Sequence, residues 1–306
     1  MMNAIQTNLE SHPLIMKNSA LKKVIVYLAL TFTLCIPFYY YIISAGDVKA
    51  GGGIYVIGLM WCPGVAALLT RLVFQRNLRG IGWGWGKTRY QVGSYLLPVM
   101  AGLAVYGIAW STGLGGFSSE GLTGEAGTGL PLAIAMQATA GFLFAAILAL
   151  GEELGWRGLL VPELSKITGF TQLSLISGFI WTLYHAPLLF FADYHSAAPK
   201  WYAFLVFIVG VTASSFIYAW FRLKSGSVWP AVIIHASHNL FIQGVFDQLT
   251  VDRGYTEYFT TEFGAGLAIT YALVAYWCWR QRGSLPQLAS SEPEPVAPTH
   301  VQLTNP

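Results

Sequence analysis

Eight stretches of the chain are apolar over roughly the length a helix needs to cross a hydrocarbon core about 30 Å thick, at about 1.5 Å per residue. They lie near residues 23–44, 53–74, 91–112, 131–155, 171–192, 201–221, 227–246 and 263–279. In lipid each segment must satisfy its own backbone polar groups, which an α-helix does. The expected fold is therefore all-α, a polytopic membrane helix bundle of about eight transmembrane helices. Composition agrees, because 55% hydrophobic against 10% charged residues leaves a soluble protein too little polar surface. The first apolar run exceeds the core of a signal peptide, so it reads as a span rather than a cleaved leader. Glycine-rich stretches such as "SAGDVKAGGG" separate the runs.

Loop charge tests the count, because lysine and arginine of short loops are retained on the cytoplasmic side. With eight spans, 14 of the 17 basic residues fall on one side; Lys49, Lys200 and Arg253 are the exceptions. The opposite loops carry Asp47, Glu120, Glu125, Asp193, Asp247, Asp252, Glu257 and Glu262. Both termini are thus expected in the cytoplasm, and the protein in the inner membrane of a bacterial-type cell. The net charge of +3 is read as this orientation signal, not as a nucleic-acid surface. Residues 1–22 read as a cytoplasmic N-terminal segment, 23–129 as the first three spans, 130–246 as spans four to seven, 247–282 as the last loop and span, and 283–306 as a disordered cytoplasmic tail rich in Pro, Ser and Glu. Cys35, Cys62 and Cys278 sit in apolar runs without metal-like spacing and read as buried hydrophobes.

Ionisable groups within a span cost about 2.5–3.5 kcal/mol each near its centre, so each needs a reason. Few remain once loops and span ends are removed: Glu152 and Glu153 in the fourth span, His185 in the fifth, and His235, His238 and Asn239 in the seventh, with Arg157 just beyond the fourth. Span direction puts His235 about 12 Å and His185 about 21 Å from the cytoplasmic ends of their helices. Glu153 and Arg157 are one helical turn apart and can pair, while Glu152 is rotated by about 100° and stays free. His235 and Asn239 share a face and can donate to one oxygen. A free carboxylate, a nearby imidazole and a pair of donors suit hydrolysis of a carbonyl: the carboxylate takes a proton from water and the donors hold the oxyanion. No G-x-S-x-G, H-E-x-x-H or P-loop occurs in the chain.

In order along three hydrophobic helices, "GEELGWRG" reads as E-E-x-x-x-R, "WTLYH" as aromatic-x-x-x-H and "HASHN" as H-x-x-x-N. Over about residues 130–246 the chain resembles the CAAX protease and bacteriocin-processing (Abi) family of intramembrane proteases, which includes the type II CAAX prenyl endopeptidases. The resemblance implies an eight-helix membrane fold and peptide-bond cleavage near the cytosolic face. By matching position it implies Glu152 as the water-activating base assisted by His185, His235 and Asn239 as the oxyanion site, and Glu153 with Arg157 as a brace. Trp181 stands where many members have Phe, and an aromatic packing role survives that change.

Blander readings stand beside these. Glu153 with Arg157 is also a simple ion pair, His185 can satisfy a backbone carbonyl freed by Pro187, His238 reads as packing, and Glu163 as solvated. Two histidines and a glutamate (Glu152, His185, His235) are also a plausible zinc set; the metal-free mechanism is preferred because Asn is a poor zinc ligand. Intramembrane Glu and His also mark transporters, and a non-catalytic bacteriocin self-immunity protein would share the family fold. The expected partners are membrane lipid and a membrane-anchored or lipidated protein or peptide substrate. Gly210 and Ser214 offer a small-residue surface for helix packing, and the oligomeric state is left open.

Overall fold

The structure is a computed structural model that describes residues 2–124 and 129–286, with side chains from residue 17 onward. Residues 287–306, most of the segment read as a disordered tail, lie outside the described residues. Eight helical rods follow the eight apolar runs. They are α1 Met2–Ala45, α2 Ile54–Gln75, α3 Thr88–Thr112, α4 Leu130–Leu164, α5 Phe170–Phe191, α6 Lys200–Ser225, α7 at residues 229–246 and α8 Ala265–Arg280.

The protein is an all-α polytopic membrane bundle. The first six rods contain stretches long and apolar enough to cross a membrane by length and composition, that of the first being Lys17–Ala45. The other two differ for visible reasons. Five polar side chains, His235, Ser237, His238, Asn239 and Gln243, interrupt α7, and α8 has only 16 residues.

Glycines set the closest approach in the bundle. A Cβ on Gly64 of α2 would stand 2.5 Å from the Gly151 carbonyl of α4, and one on Gly151 would stand 2.7 Å from the Met60 carbonyl. One on Gly155 would run into the Tyr27 hydroxyl and stand 2.5 Å from Pro63. The backbones of α2 and α4 therefore cross almost in contact, as small residues permit in membranes. The two residues after Gly151 are Glu152 and Glu153, so this crossing fixes the height of both carboxylates.

α4 also departs from regular winding. Its turn Trp156–Leu160 is π-helical, which adds a residue to the turn and keeps the helix continuous to Leu164. The rod thus extends twelve residues, about 18 Å, past Glu152. Glu163 is not solvated: it is 1% exposed, 2.8 Å from Lys166 and 3.6 Å from Lys23 of α1. The continuation of α4 buries it against α1, where two lysines compensate its charge.

The two ends of the bundle are built differently. At the end with the basic loops, buried Arg71 donates to the carbonyls of Arg79 (2.7 Å) and Gly158 (2.7 Å). Buried Arg222 donates to those of Arg157 (2.8 Å), Gly80 (3.1 Å) and Ile81 (3.2 Å). The loop 76–87 is thereby pulled under α4, and Ile81 packs into an apolar cluster with Ala149, Leu154, Val228, Val232 and Ala236. At the other end a two-residue antiparallel ladder pairs Gly116–Phe117 with Thr250–Val251. Side chains there link the remaining loops, as Val48 N–H does to Asp193 (2.7 Å) and Tyr194 does to Glu262 (2.8 Å). Cys35, Cys62 and Cys278 are free and buried.

Candidate active site

The polar residues singled out in the sequence come from three helices and meet. Glu152 is 2% exposed, and its Oε2 accepts from the indole N–H groups of Trp156, one turn on (3.1 Å), and Trp181 of α5 (2.9 Å). The Trp181 ring at this motif position is therefore more than packing: its Nε1 supplies a donor that Phe lacks. With Oε2 held twice, Oε1 is the oxygen left for the cavity that Glu152 lines.

Glu153 points the other way, as the 100° rotation per residue requires. Arg157 Nη1 donates to both its oxygens (2.9 and 3.1 Å), and His235 Nδ1 bonds its Oε1 at 2.9 Å. The Arg157 guanidinium lies between the rings of Trp181 and Tyr218, each 4.5 Å from its carbon. Those aromatic faces attend the two guanidinium nitrogens that have no hydrogen-bond partner. Glu153 is thus shared between a clamped arginine and an imidazole. The sequence reading paired it with Arg157 only, because the spacing within one helix says nothing of a neighbour from α7.

His235 is 5% exposed, and with Nδ1 on Glu153 its Nε2 faces the cavity side. Asn239 begins the π-helical stretch Asn239–Phe246 and lines the same cavity. His185 Nδ1 is 2.8 Å from the Trp181 carbonyl, and since a carbonyl only accepts, Nδ1 carries the proton and Nε2 offers a lone pair. That carbonyl is one turn back on α5 and is not the Leu183 carbonyl, which Pro187 leaves without its helical donor. His238 bonds Tyr271 of α8 through Nδ1 (2.7 Å).

All four groups, Glu152, His185, His235 and Asn239, line one cavity of about 440 Å³. Its walls add residues that sequence patterns did not mark: Tyr194, Gln243 and Glu262. Glu262 accepts from the Tyr194 hydroxyl (2.8 Å) and from Gln243 Nε2 (2.8 Å). It was counted only as a loop acid, and no local pattern distinguishes it from Glu257. Burial pushes its carboxyl up to about 7, against the pull of those two donors. Gly210 and Ser214 also line the cavity, so their small size leaves space there.

A bound zinc would need three ligands free to converge. Among the described residues no group of three His, Cys, Asp or Glu side chains is spaced to hold a metal ion. These side chains do not fit zinc without rearranging, so no step below is routed through a metal.

Fold and site together define a polytopic α-helical membrane protein with a carboxylate–imidazole cluster in the wall of an internal cavity. Residues 130–241 match the family described as type II CAAX prenyl endopeptidase, Rce1-like. A curated relative, CAAX prenyl protease 2 of Methanococcus maripaludis, is 33% identical over 94 residues, covering 29% of this chain and 34% of the relative. The chain thus aligns with about a third of that protein's length. Both findings support assignment to the CAAX protease family, and the matched segment contains every motif residue from Glu152 to Asn239.

Proposed function

We propose that the chain is a glutamate-dependent intramembrane endopeptidase that hydrolyses a peptide bond of a membrane-associated protein or peptide. One observation carries this reading: Glu152 has one oxygen fixed by two indole N–H groups and the other turned to a cavity shared with His185, His235 and Asn239. Glu152 Oε1 takes a proton from water while His185 Nε2 accepts a hydrogen bond from the same water and orients it. The water oxygen bonds to the scissile carbonyl carbon, and the carbonyl oxygen becomes an oxyanion facing the Asn239 amide N–H and the Nε2–H of a doubly protonated His235, whose Nδ1–H is held by the Glu153 carboxylate. Collapse breaks the C–N bond, and the proton held by Glu152 goes to the leaving amine. Glu153 and Arg157 touch none of these atoms; they position His235.

His235 is six residues from the start of its helix and Glu152 twelve from the end of its own, about 9 and 18 Å from the basic-loop end. These depths place the cluster near the middle of a core about 30 Å thick, with His235 on its cytoplasmic side. The setting is the inner membrane of a bacterial-type cell, and the substrate class spans CAAX-type lipidated tails and unlipidated precursor peptides.

The test compares wild type, Glu152→Gln and Glu153→Gln in proteoliposomes against farnesylated and unlipidated fluorogenic peptides. Glu152→Gln is expected to lose cleavage by about 10³-fold or more. Full activity in that variant would overturn the mechanism. A parallel arm adds a chelator: loss of activity restored by zinc would replace it with the metalloprotease reading.

A further inference from the structure

The glutamates turned into the bundle differ in what stands beside them. Glu153 pairs with Arg157 at 2.9 Å, and Glu163 with Lys166 at 2.8 Å and Lys23 at 3.6 Å. Glu152 has two indole N–H groups and a part in the chemistry. Glu262 has no cation and no such part. Its oxygens accept from the Tyr194 hydroxyl and from Gln243 Nε2, both neutral, and among the described residues no Lys, Arg or His side chain pairs with it. Lys49 lines the same cavity but is exposed and makes no pair with it. Each oxygen of Glu262 keeps a further acceptor position, in a place where a carboxylate without a cation is costly.

The backbone is strained to put it there. Thr261, the residue before Glu262, has φ +63°, a left-handed conformation that β-branched residues rarely adopt. Its N–H donates to the Tyr106 hydroxyl of α3 (2.9 Å), and a Cβ on Gly264 would run into the Thr260 carbonyl. The turn 260–264 is thus closed tightly and tied to α3, with Glu262 at its centre facing the cavity that Glu152 shares. Aromatic faces adjoin it. The Tyr194 ring stacks on His185 with centroids 5.9 Å apart, and Phe207 stands 5.4 Å from His185 and 6.1 Å from Tyr194. Both rings line the cavity, and such faces attract a cation.

We propose that Glu262, held by Tyr194 and Gln243, is a subsite for the ammonium or guanidinium of a basic side chain on the substrate, so that the cavity selects peptides with Lys or Arg near the scissile bond. Gln243 lies eight residues past His235 on α7, about 12 Å at helical rise. An extended chain advances about 3.5 Å per residue, which puts the basic residue within about three residues of the bond that is cut. The incoming cation compensates Glu262 as Arg157 compensates Glu153, and a neutral side chain leaves the carboxylate unpaired. The inference rests on the peptidase reading for the bond that is cut; the cation site itself rests on the surroundings of Glu262.

Binding tests the subsite without requiring cleavage. Acetylated, amidated apolar pentapeptides carrying one Lys, moved through the successive positions, are compared with peptides in which norleucine replaces it, the same chain without the ammonium. Affinity for the full-length chain in detergent micelles is measured in a Glu152→Gln background, where Glu152 supplies no negative charge. The preference is a ratio of two dissociation constants, so a smaller folded fraction in any variant cancels.

The expected result is binding about ten- to a hundredfold tighter for lysine than for norleucine at one or two positions, the effect of one hydrogen-bonded charge pair. That ratio falls to about one when Glu262→Gln is added, and stays above one with Glu262→Asp, which keeps the charge. Equal affinity for lysine and norleucine at every position overturns the proposal. So does a lysine preference that survives Glu262→Gln, or one that is lost equally in Glu262→Asp and Glu262→Gln, because packing and not charge would then be at work. Failure of the peptidase reading would show separately, as unchanged cleavage in Glu152→Gln.

Discussion

The two ends of this bundle handle charge in opposite ways. At the basic end Arg71 and Arg222 are turned inward, 2% and 7% exposed, and spend their donors on main-chain carbonyls of α4 and of the loop 76–87. At the acidic end Glu262 and Asp247 accept from side chains, Tyr194 and Gln243 for one and Tyr106 for the other, and a cavity remains open beside Glu262. The difference teaches that arginines counted as orientation signals can also be structural plugs. A loop-charge count registers their side of the membrane but not that they have left the water.

The boundary between the halves is the α2–α4 crossing, and altering it should have the largest effect. In Gly151→Ala the new Cβ would stand 2.7 Å from the Met60 carbonyl and 2.9 Å from Trp61 Cα, so backbone must move. A cost of about 3 kcal/mol or more is expected, at the upper end of overpacking. It is read as a lowered unfolding midpoint in detergent together with loss of cleavage. An unchanged midpoint would mean that the crossing does not hold the two halves in register.

Loosening the basic end comes next. Arg222→Ala leaves the carbonyls of Arg157, Gly80 and Ile81 without their donor, at a cost of about 2–3 kcal/mol. The loss is read as a lowered unfolding midpoint of the Arg222→Ala variant in detergent. An unchanged midpoint would show that Arg222 does not hold that end together. A smaller change is Trp181→Phe, which keeps a ring and removes one donor from Glu152 Oε2. Losing one hydrogen bond to a charged group predicts roughly tenfold lower kcat with little change in KM, since Trp156 still holds that oxygen. A change confined to KM would argue that Trp181 acts on substrate and not through Glu152.

Most of the bundle was legible because lipid imposes a simple rule, one apolar run to each rod. Glu152, His185, His235 and Asn239 were legible because polar groups in such runs are conspicuous, and the structure gathers them on one cavity. What stayed hidden depends on contacts between elements. The spacing of Glu153 and Arg157 announces their pair, but nothing local announces that His235 shares it. The indole of Trp181 looked like packing because its N–H matters only opposite Glu152. Glu163 looked solvated because the π-helical turn that carries α4 past Arg157 has no sequence signature as plain as a proline. Glu262 looked like any other loop acid, and only folding of the loop after α7 turns it toward the cavity.

That loop also makes the acidic end the one expected to respond to pH, and the effect should be the smallest of the four. Burial raises the carboxyl of Glu262 from 4.5 to about 7 and that of Asp247 from 3.8 to about 6. Between each pair of values the folded chain holds a proton that the unfolded chain has released. Folding stability therefore falls as pH rises through this window, from about 4 to 7, and levels off above it. Glu262→Gln keeps an oxygen for the Tyr194 hydroxyl and has no proton to lose, so its unfolding midpoint should decline less between pH 5 and 7.5, a range chosen to bracket about 7. Asp247→Asn should remove only the part complete by about pH 6. If both variants follow the wild-type curve, the carboxylates at the acidic end are as free to ionise as those in water, and that end is wetter than its packing implies.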